Sequence, residues 1–225
     1  MDTIEEKLDY NFKSQSLLIN ALTHSSYANE NRGRSCESNE RLEFLGDSVL
    51  GLVVADALYR RFPEMPEGRM TRMRAQLVCE ESLHRVASEL GLGEYMRLGR
   101  GEEHTGGRNR TSILADAVEA IIAAMYLDGG MEVARRFITK HILSTLDGTY
   151  ISFGDSKTEL QELVQRKSGS QLSYELLSES GPDHDKTFTS QVLLNGNAIG
   201  SGSGRTKKEA EQAAARAALR ELRAR

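Results

Sequence analysis

Three carboxylates that could bind a cation, Glu40, Glu43 and Asp47, occur close together between residues 39 and 51. The segment reads Asn-Glu-Arg-Leu-Glu-Phe-Leu-Gly-Asp-Ser-Val-Leu-Gly and has helical periodicity. At about 100° per residue the three acids share one stripe of a helix. The predicted opposite, apolar side contains Leu42, Leu45, Val49, Leu52 and Val53. Like charges one turn apart cost an isolated helix about 0.2–0.5 kcal/mol per pair, so their alignment indicates a cationic partner.

A second pair of acids, Asp116 and Glu119, interrupts the segment Ile-Leu-Ala-Asp-Ala-Val-Glu-Ala-Ile-Ile-Ala-Ala-Met that begins at Ile113. The segment is apolar almost all round, which is typical of a buried helix. Residues three apart lie on one helix face, about 5–6 Å from each other. Buried carboxylates must be protonated, paired with cations or bound to metal. An oxygen-only ligand set favours Mg²⁺, with Mn²⁺ as the alternative.

The competing interpretation is ordinary ion pairing with Arg41, Arg72 or Arg74. Five carboxylates in two clusters favour a metal over that alternative. A sixth acid, Glu67, lies in a Pro-Glu-Gly turn and is predicted from its position to be a solvated turn residue. The five histidines form no HExxH spacing, and His24 is predicted to bond local backbone.

The elements that carry these acids are predicted to be helices, with no strand before residue 150. The predicted order is one or two short helices over 4–22, a loop over 23–38, a helix from residue 39 to about 61, a long helix over 68–90, a flexible loop over 99–110, and helices over 113–127 and about 131–146. Ser38 or Asn39 is the predicted N-cap of the helix that carries Glu43.

The pattern changes after a predicted linker at 148–155, which separates an all-α domain (1–147) from a small α+β domain (156–225). The predicted order of the second domain is α-β-β-β-α, with one helical layer on a three-stranded antiparallel sheet. Its elements are predicted at 157–167, 173–177, 187–194, 197–202 and 207–222. The glycine-rich run at 200–204 is interpreted as a strand-to-helix turn.

Composition excludes several classes of protein. Residues 155–225 hold 11 Lys and Arg against 10 Asp and Glu, while the whole chain has a net charge of −4. The net charge argues against a protein that binds nucleic acids nonspecifically through its overall charge. The first domain is acidic and the second is close to neutral, as expected for two domains with different functions. We expect a cytoplasmic protein with two reduced cysteines, because the chain shows no signal-peptide pattern, no CxxC and no apolar run of about 18 residues.

Residues 39–48 resemble the signature of the ribonuclease III family, and residues 113–120 resemble its second acidic motif. The segments 157–162 and 207–214 resemble the two ends of a double-stranded-RNA-binding domain. The resemblance covers almost the whole chain. It implies an endonuclease that hydrolyses phosphodiesters in double-stranded RNA, leaves 5′-phosphates and short 3′ overhangs, and processes ribosomal and other structured RNAs.

The resemblance also implies roles for individual residues. Glu43, Asp116 and Glu119 match metal ligands, and Asp47 and Glu119 match the residues usually described as active. Glu40 and Glu67 match further acids of the same site. The family acts as a homodimer without an organic cofactor, and Phe44, on the acid side of its helix, is predicted to be a dimer contact.

The second domain has three predicted RNA contacts, which are also the usual ones of its domain family. Gln161 and Gln165 could reach a minor groove, and His184 could reach a second one. Arg205, Lys207 and Lys208 lie at a helix N-terminus, where phosphate is favoured. The near-neutral charge predicts a modest, salt-dependent affinity.

Two other functions compete with the leading hypothesis. One is a double-stranded-RNA-binding protein that is catalytically silent. The other is a metal-binding all-α phosphohydrolase that acts on nucleotides.

Overall fold

The computed structural model describes residues 3–31, 36–144, 146, 156–165, 170–182 and 186–224, without the side chains of 162, 165, 223 and 224. The chain divides into two compact units, Met1–Ile151 and Ser152–Arg225. The predicted linker at 148–155 lies outside the described residues. None of the helices in these ranges is both long and apolar enough to span a bilayer.

The described part of the first unit is helical, as predicted. Its α-helices are α1 (Ile4–Leu8), α2 (Gln15–Ala21), α3 (Ser25–Glu30), α4 (Glu40–Arg61), α5 (Glu67–Leu77), α6 (Glu80–Leu90), α7 (Arg100–His104), α8 (Thr111–Gly129) and α9 (Met131–Ile138). Short 3₁₀ turns follow α6 and α7, and a π-helical turn, Thr139–Leu143, follows α9. Extended pairing in this unit is confined, within those ranges, to an isolated parallel bridge between Thr23 and Arg97.

Helix α8 forms the centre of the first unit. Its residues between Ile113 and Met125 are buried on every side apart from Asp116 and Glu119, which are half-buried. Helices α2, α4, α6 and α9 pack around it. The prediction of a buried helix that carries two acids is therefore confirmed.

Three predicted segments have a different structure. The predicted helix 68–90 is two helices, α5 and α6, because Cys79 between them has an extended backbone. The predicted loop 23–38 contains α3, which begins where the His24 ring accepts a bond from the Ser26 amide. The predicted flexible loop 99–110 is ordered because Arg108 donates to the carbonyls of Gly93 and Met96.

Two details of α4 also differ from prediction. Leu52 was assigned to the apolar side, but its side chain is 58% exposed. Asn39 occupies the N-cap position, yet its side chain makes no capping bond. The Ser38 hydroxyl donates instead to the carboxylate of Glu40.

The second unit has the predicted α-β-β-β-α order. Helix α10 (Ser156–Gln165) precedes an antiparallel sheet of order β1-β2-β3, and α11 (Lys207–Ala224) follows it. The strands are β1 (Leu172–Ser180), β2 (Thr187–Leu194) and β3 (Asn197–Gly204). The core between helices and sheet contains Leu160, Val164, Val192, Ala214, Ala215, Ala218 and Leu219.

The glycine-rich run at 200–204 belongs to β3, so its interpretation as a turn is wrong. A Cβ on Gly200 would lie 2.6 Å from the carbonyl oxygen of Ala214, and one on Gly202 would lie 2.5 Å from the Ala213 Cβ. The glycines therefore let the alanine-rich face of α11 pack directly on the strand backbone.

Candidate metal centre

Helices α4 and α8 approach each other closely at Gly46. A Cβ placed there would lie 1.9 Å from the backbone oxygen of Glu119, so no side chain fits between the helices. Glu43 is one turn before Gly46 on α4, and Asp116 is one turn before Glu119 on α8. The close approach brings the acids of the two helices together.

Glu43, Asp116 and Glu119 form a three-carboxylate cluster. Each contributes one oxygen to a group whose members all lie within 4.8 Å of one another. All three side chains are half-buried. The structure thus joins acids that are about 70 residues apart in the sequence, as the two-motif interpretation predicts.

The electrostatics of the cluster disfavour three negative charges. Burial, followed by the charges of Asp47, Asp116 and Glu43, raises the pKa of Glu119 to about 8. The pKa of Glu43 is raised by burial and then by Asp116, Glu40 and Asp47. Burial is also the main cause of the raised pKa of Asp116.

The alternative of ordinary ion pairing finds no support among the described residues. The ion pairs recorded among the described residues, such as those of Asp56 with Arg60 and Arg135, do not involve Glu43, Asp116 or Glu119. A bound divalent cation would favour the ionised carboxylates, and its preference for oxygen ligands matches this donor set. The cluster therefore fits a divalent metal.

Asp47 and Glu40 lie at the exposed rim of the cluster. The charge of Asp47 acts on Glu119, and that of Glu40 acts on Glu43. The rim position leaves both carboxylates accessible from solvent. They extend the negative surface beyond the three cluster residues.

Glu67 lies apart from the cluster. It begins α5, and its carboxylate accepts a hydrogen bond of 2.8 Å from the Thr71 hydroxyl. It lines a surface pocket of about 460 Å³ together with Leu52 and Tyr59. A catalytic role for Glu67 stays a prediction.

Two residues near the cluster were not identified as site residues from the sequence. The charge of Glu80, at the start of α6, raises the pKa of Asp116, whereas that of His24 lowers it. The His24 ring is held by the Ser26 hydroxyl at 2.8 Å. Neither residue has a spacing that relates it to Asp116, because each reaches α8 through tertiary packing.

Comparison with known proteins agrees with this geometry. Residues 14–146 match the family model described as "Ribonuclease-III-like", and residues 156–222 match the double-stranded RNA binding motif. A curated relative from Desulforamulus reducens, named Ribonuclease 3, is 51% identical over 97% of this chain and 90% of its own length.

The chain belongs to the ribonuclease III family.

Solved structures extend the likeness to the fold. The nuclease domain of ribonuclease III from Campylobacter jejuni aligns with a TM-score of 0.59 and 41% identity, over 65% of this chain and 95% of that one. A second structure of the same nuclease domain aligns with a TM-score of 0.57 and 43% identity, over 62% of this chain and 96% of that one. That second structure shows structural flexibility in a region involved in dimer formation of the Campylobacter jejuni domain.

This ribonuclease III family member has an exposed apolar face on α4. Phe44 is 79% exposed, Leu52 58% and Tyr59 72%. Their spacing along the helix puts them on one side, next to the pocket that Glu67 lines. We call this surface the α4 apolar face.

Four of the six predicted RNA contacts, Gln161, Arg205, Lys207 and Lys208, have described side chains. Gln161 is exposed on α10. The side chain of Gln165 and the whole of His184 lie outside the described residues. Lys207, Lys208 and Arg205 are exposed at the start of α11.

Two backbone amides near the start of α11 are hydrogen-bonded to side chains of the same segment. The Glu209 amide donates to the Thr206 hydroxyl at 3.1 Å, and the Arg205 amide donates to the Glu209 carboxylate at 2.8 Å. This arrangement places a negative charge beside Lys207 and Lys208. Both lysine side chains are exposed, and the Lys207 ammonium lies 5.9 Å from the centre of the Phe188 ring.

Proposed function

We propose that this chain is a divalent-metal-dependent endoribonuclease that hydrolyses double-stranded RNA. The observation that carries the proposal is the three-carboxylate cluster of Glu43, Asp116 and Glu119, whose oxygens lie within 4.8 Å of one another and whose pKa values are all raised. Family membership and the match to an RNA-binding motif support the choice of substrate.

The cluster residues would hold Mg²⁺, with Mn²⁺ as the alternative. When bound, such an ion supplies positive charge to the phosphate and makes water more acidic. Glu119 must lose its proton to become a ligand, since a carboxyl with a pKa of about 8 is mostly neutral at pH 7. Asp47 and Glu40, at the rim, would accept hydrogen bonds from water and orient it.

The reaction forms a bond from water oxygen to phosphorus and breaks the bond from phosphorus to the 3′-oxygen. The proton lost by water balances the one gained by the departing 3′-oxygen. The phosphate then stays on the 5′-oxygen of the downstream fragment, and the upstream fragment ends in a 3′-hydroxyl. We therefore propose 5′-phosphate products with short 3′ overhangs, and precursors of ribosomal RNA and other structured RNAs as cytoplasmic substrates.

We also propose a homodimer built on the α4 apolar face. Burying the exposed Phe44 side chain in an interface would contribute about 1.5–3 kcal/mol per side chain to the free energy of association. The nuclease domain from Campylobacter jejuni, which has a region involved in dimer formation, supports self-association as such, and the exposed apolar side chains support the choice of this face. In such a dimer Glu67, which lies beside this face and away from its own cluster, would act next to the cluster of the second copy.

In the second unit we propose that Gln161, Gln165 and His184 contact the minor groove, and that Arg205, Lys207 and Lys208 contact phosphates. Duplex RNA is recognised mainly by shape, phosphates and 2′-hydroxyls, which suits this mixture of neutral and basic groups. Because the contacts of Arg205, Lys207 and Lys208 with phosphates would release counterions, the affinity should fall as salt rises.

The test is incubation of the protein with duplex RNA, single-stranded RNA, duplex DNA and nucleotides, with and without Mg²⁺. We expect cleavage of duplex RNA alone, and only with Mg²⁺. Glu119→Gln and Asp116→Asn should abolish cleavage while duplex binding stays within a few-fold of the wild type. Binding without cleavage by the wild-type protein would favour a silent RNA-binding protein, and turnover of nucleotides alone would favour a nucleotide phosphohydrolase.

A further inference from the structure

Asn39, which immediately precedes α4, is nearly enclosed by protein. It is 2% exposed, and its side-chain amide donates to the carbonyl oxygen of Ala21 at 3.3 Å. A capping asparagine would instead accept a bond from an amide of its own helix. The side chain therefore joins α4 to the end of α2.

The backbone of Asn39 makes two further bonds. Its amide donates to the Thr23 carbonyl at 2.8 Å, and its carbonyl accepts from the amide of Glu43 at 2.8 Å. One residue thus connects the turn after α2 to the first turn of the helix that carries Glu43.

The turn that receives Asn39 is itself held on its other side by Arg97. The Arg97 amide donates to the Leu22 carbonyl at 2.8 Å, and its guanidinium donates to the Thr23 hydroxyl at 3.2 Å. Thr23 is fully buried. The turn that accepts the Asn39 bonds is therefore itself tied to Arg97 and enclosed by protein.

Asn39 and Gly46 lie on nearly the same side of α4, two turns or about 10.5 Å apart. Gly46 contacts the backbone of Glu119, and Asn39 contacts the turn after α2. Glu43 lies between these two anchors. Its carboxylate can meet Asp116 and Glu119 within the small tolerance of a magnesium site only if both ends of this stretch are held.

We propose that Asn39 is a positioning residue for the metal centre, which sets the place of Glu43 through its bond to Ala21 rather than by capping α4. The proposal rests on the metal-dependent function proposed above. Residues that orient metal ligands typically change metal affinity or activity by about 10–100-fold when they are replaced.

The decisive variant is Asn39→Asp, because Asp and Asn are equally good N-caps. An aspartate would turn an acceptor toward the Ala21 carbonyl and lose the bond. Its added negative charge would by itself favour binding of Mg²⁺, so a weaker response to Mg²⁺ indicates lost positioning, provided that the melting temperature shows the variant folded under the assay conditions. Asn39→Ser keeps a capping group, cannot reach Ala21, and serves as the second variant.

The measurement is the Mg²⁺ concentration for half-maximal cleavage of duplex RNA by the full-length protein, together with melting temperature and duplex binding without divalent cation. We expect both Asn39 variants to need at least about tenfold more Mg²⁺ while duplex binding stays within about twofold. Tyr10→Phe is the matched control, because it removes the hydroxyl that donates to Asp128 at the opposite end of α8.

The control should lower the melting temperature without moving the Mg²⁺ midpoint. The inference is overturned if both Asn39 variants keep a midpoint within about twofold of the wild type, or if Tyr10→Phe shifts the midpoint equally. In either case, the proposed function would still hold if the wild-type protein needs Mg²⁺ for cleavage. A wild-type enzyme that cleaves without divalent cation would overturn the proposed function and this inference together.

Discussion

Replacing Gly46 with alanine tests whether the distance between α4 and α8 decides activity. The new Cβ would lie 1.9 Å from the Glu119 backbone oxygen and 2.4 Å from its carbonyl carbon. Ordinary contacts begin near 3.4 Å, so the helices must separate by about 1.5 Å at this point. Glu43 and Glu119 lie on the two sides of this gap, and a magnesium site requires ligand distances near 2.0–2.1 Å.

The expected loss of activity is much larger than the loss of stability. A displacement of about 1 Å can cost about 10²-fold in rate, so kcat/KM should fall by at least that factor. Overpacking costs about 1–3 kcal/mol, and about 0.5–1 kcal/mol of this is offset because alanine is a better helix former than glycine. The nuclease unit should therefore remain folded.

The assay is multiple-turnover cleavage of a duplex RNA at saturating Mg²⁺, with calorimetry for stability and duplex binding in the absence of divalent cation. Gly101→Ala is the control, because Gly101 lies in α7 and a Cβ there would meet nothing within 4 Å. It should leave kcat/KM unchanged. If the Gly46→Ala variant cleaves within about threefold of the wild type, the close approach of α4 and α8 does not set the geometry of the site.

Three more predictions concern other parts of the molecule. Burial and neighbouring acids raise the pKa of Glu119 to about 8, so metal binding at pH 7 should release about one proton. For the same reason, the affinity for Mg²⁺ should rise with pH until about pH 8. Calorimetry in buffers of different ionisation enthalpy measures the released protons, and a value of zero would contradict this prediction. Phe44→Ala should weaken self-association by at least about 10²-fold, because two phenylalanines would be lost per dimer; unchanged sedimentation would exclude the α4 apolar face as the interface. Glu209→Gln keeps an acceptor for the Arg205 amide but removes a negative charge near Lys207. Duplex RNA should therefore bind about 2–5-fold more tightly at low salt. The idea fails if the ratio of the dissociation constants of variant and wild type is the same at about 50 mM and about 500 mM salt.

Helical periodicity was sufficient to predict the buried acid-bearing helix. An almost continuously apolar segment must be enclosed, and the two acids that interrupt it must then have a partner, so α8 and its pair Asp116 and Glu119 followed from local pattern alone. The α-β-β-β-α order of the second unit followed in the same way, because strand alternation and an alanine-rich helix are also local patterns.

The errors occurred where distant residues override local pattern. No glycine or proline marks the break between α5 and α6. The conformation of residues 99–110 depends on hydrogen bonds from Arg108 to carbonyl groups more than ten residues away. Leu52 lies on the exposed side of α4 because the neighbours of that helix determine which apolar side chains are covered. Periodicity identifies the apolar residues that share a helix face, but packing against neighbouring helices decides which of these residues are buried.

By itself, the sequence determined which residues could do chemistry, since carboxylates aligned along a helix or enclosed in an apolar one are costly unless something binds them. It also determined the number and type of most elements. The family resemblance already grouped Glu43 with Asp116 and Glu119, and the structure brings their oxygens within 4.8 Å of one another. Only the tertiary structure decided that Glu67 lies apart from them and that Asn39 bonds α2 instead of capping α4. These outcomes depend on distances of a few ångströms between elements of the fold. Contacts between residues that are remote in the sequence control those distances.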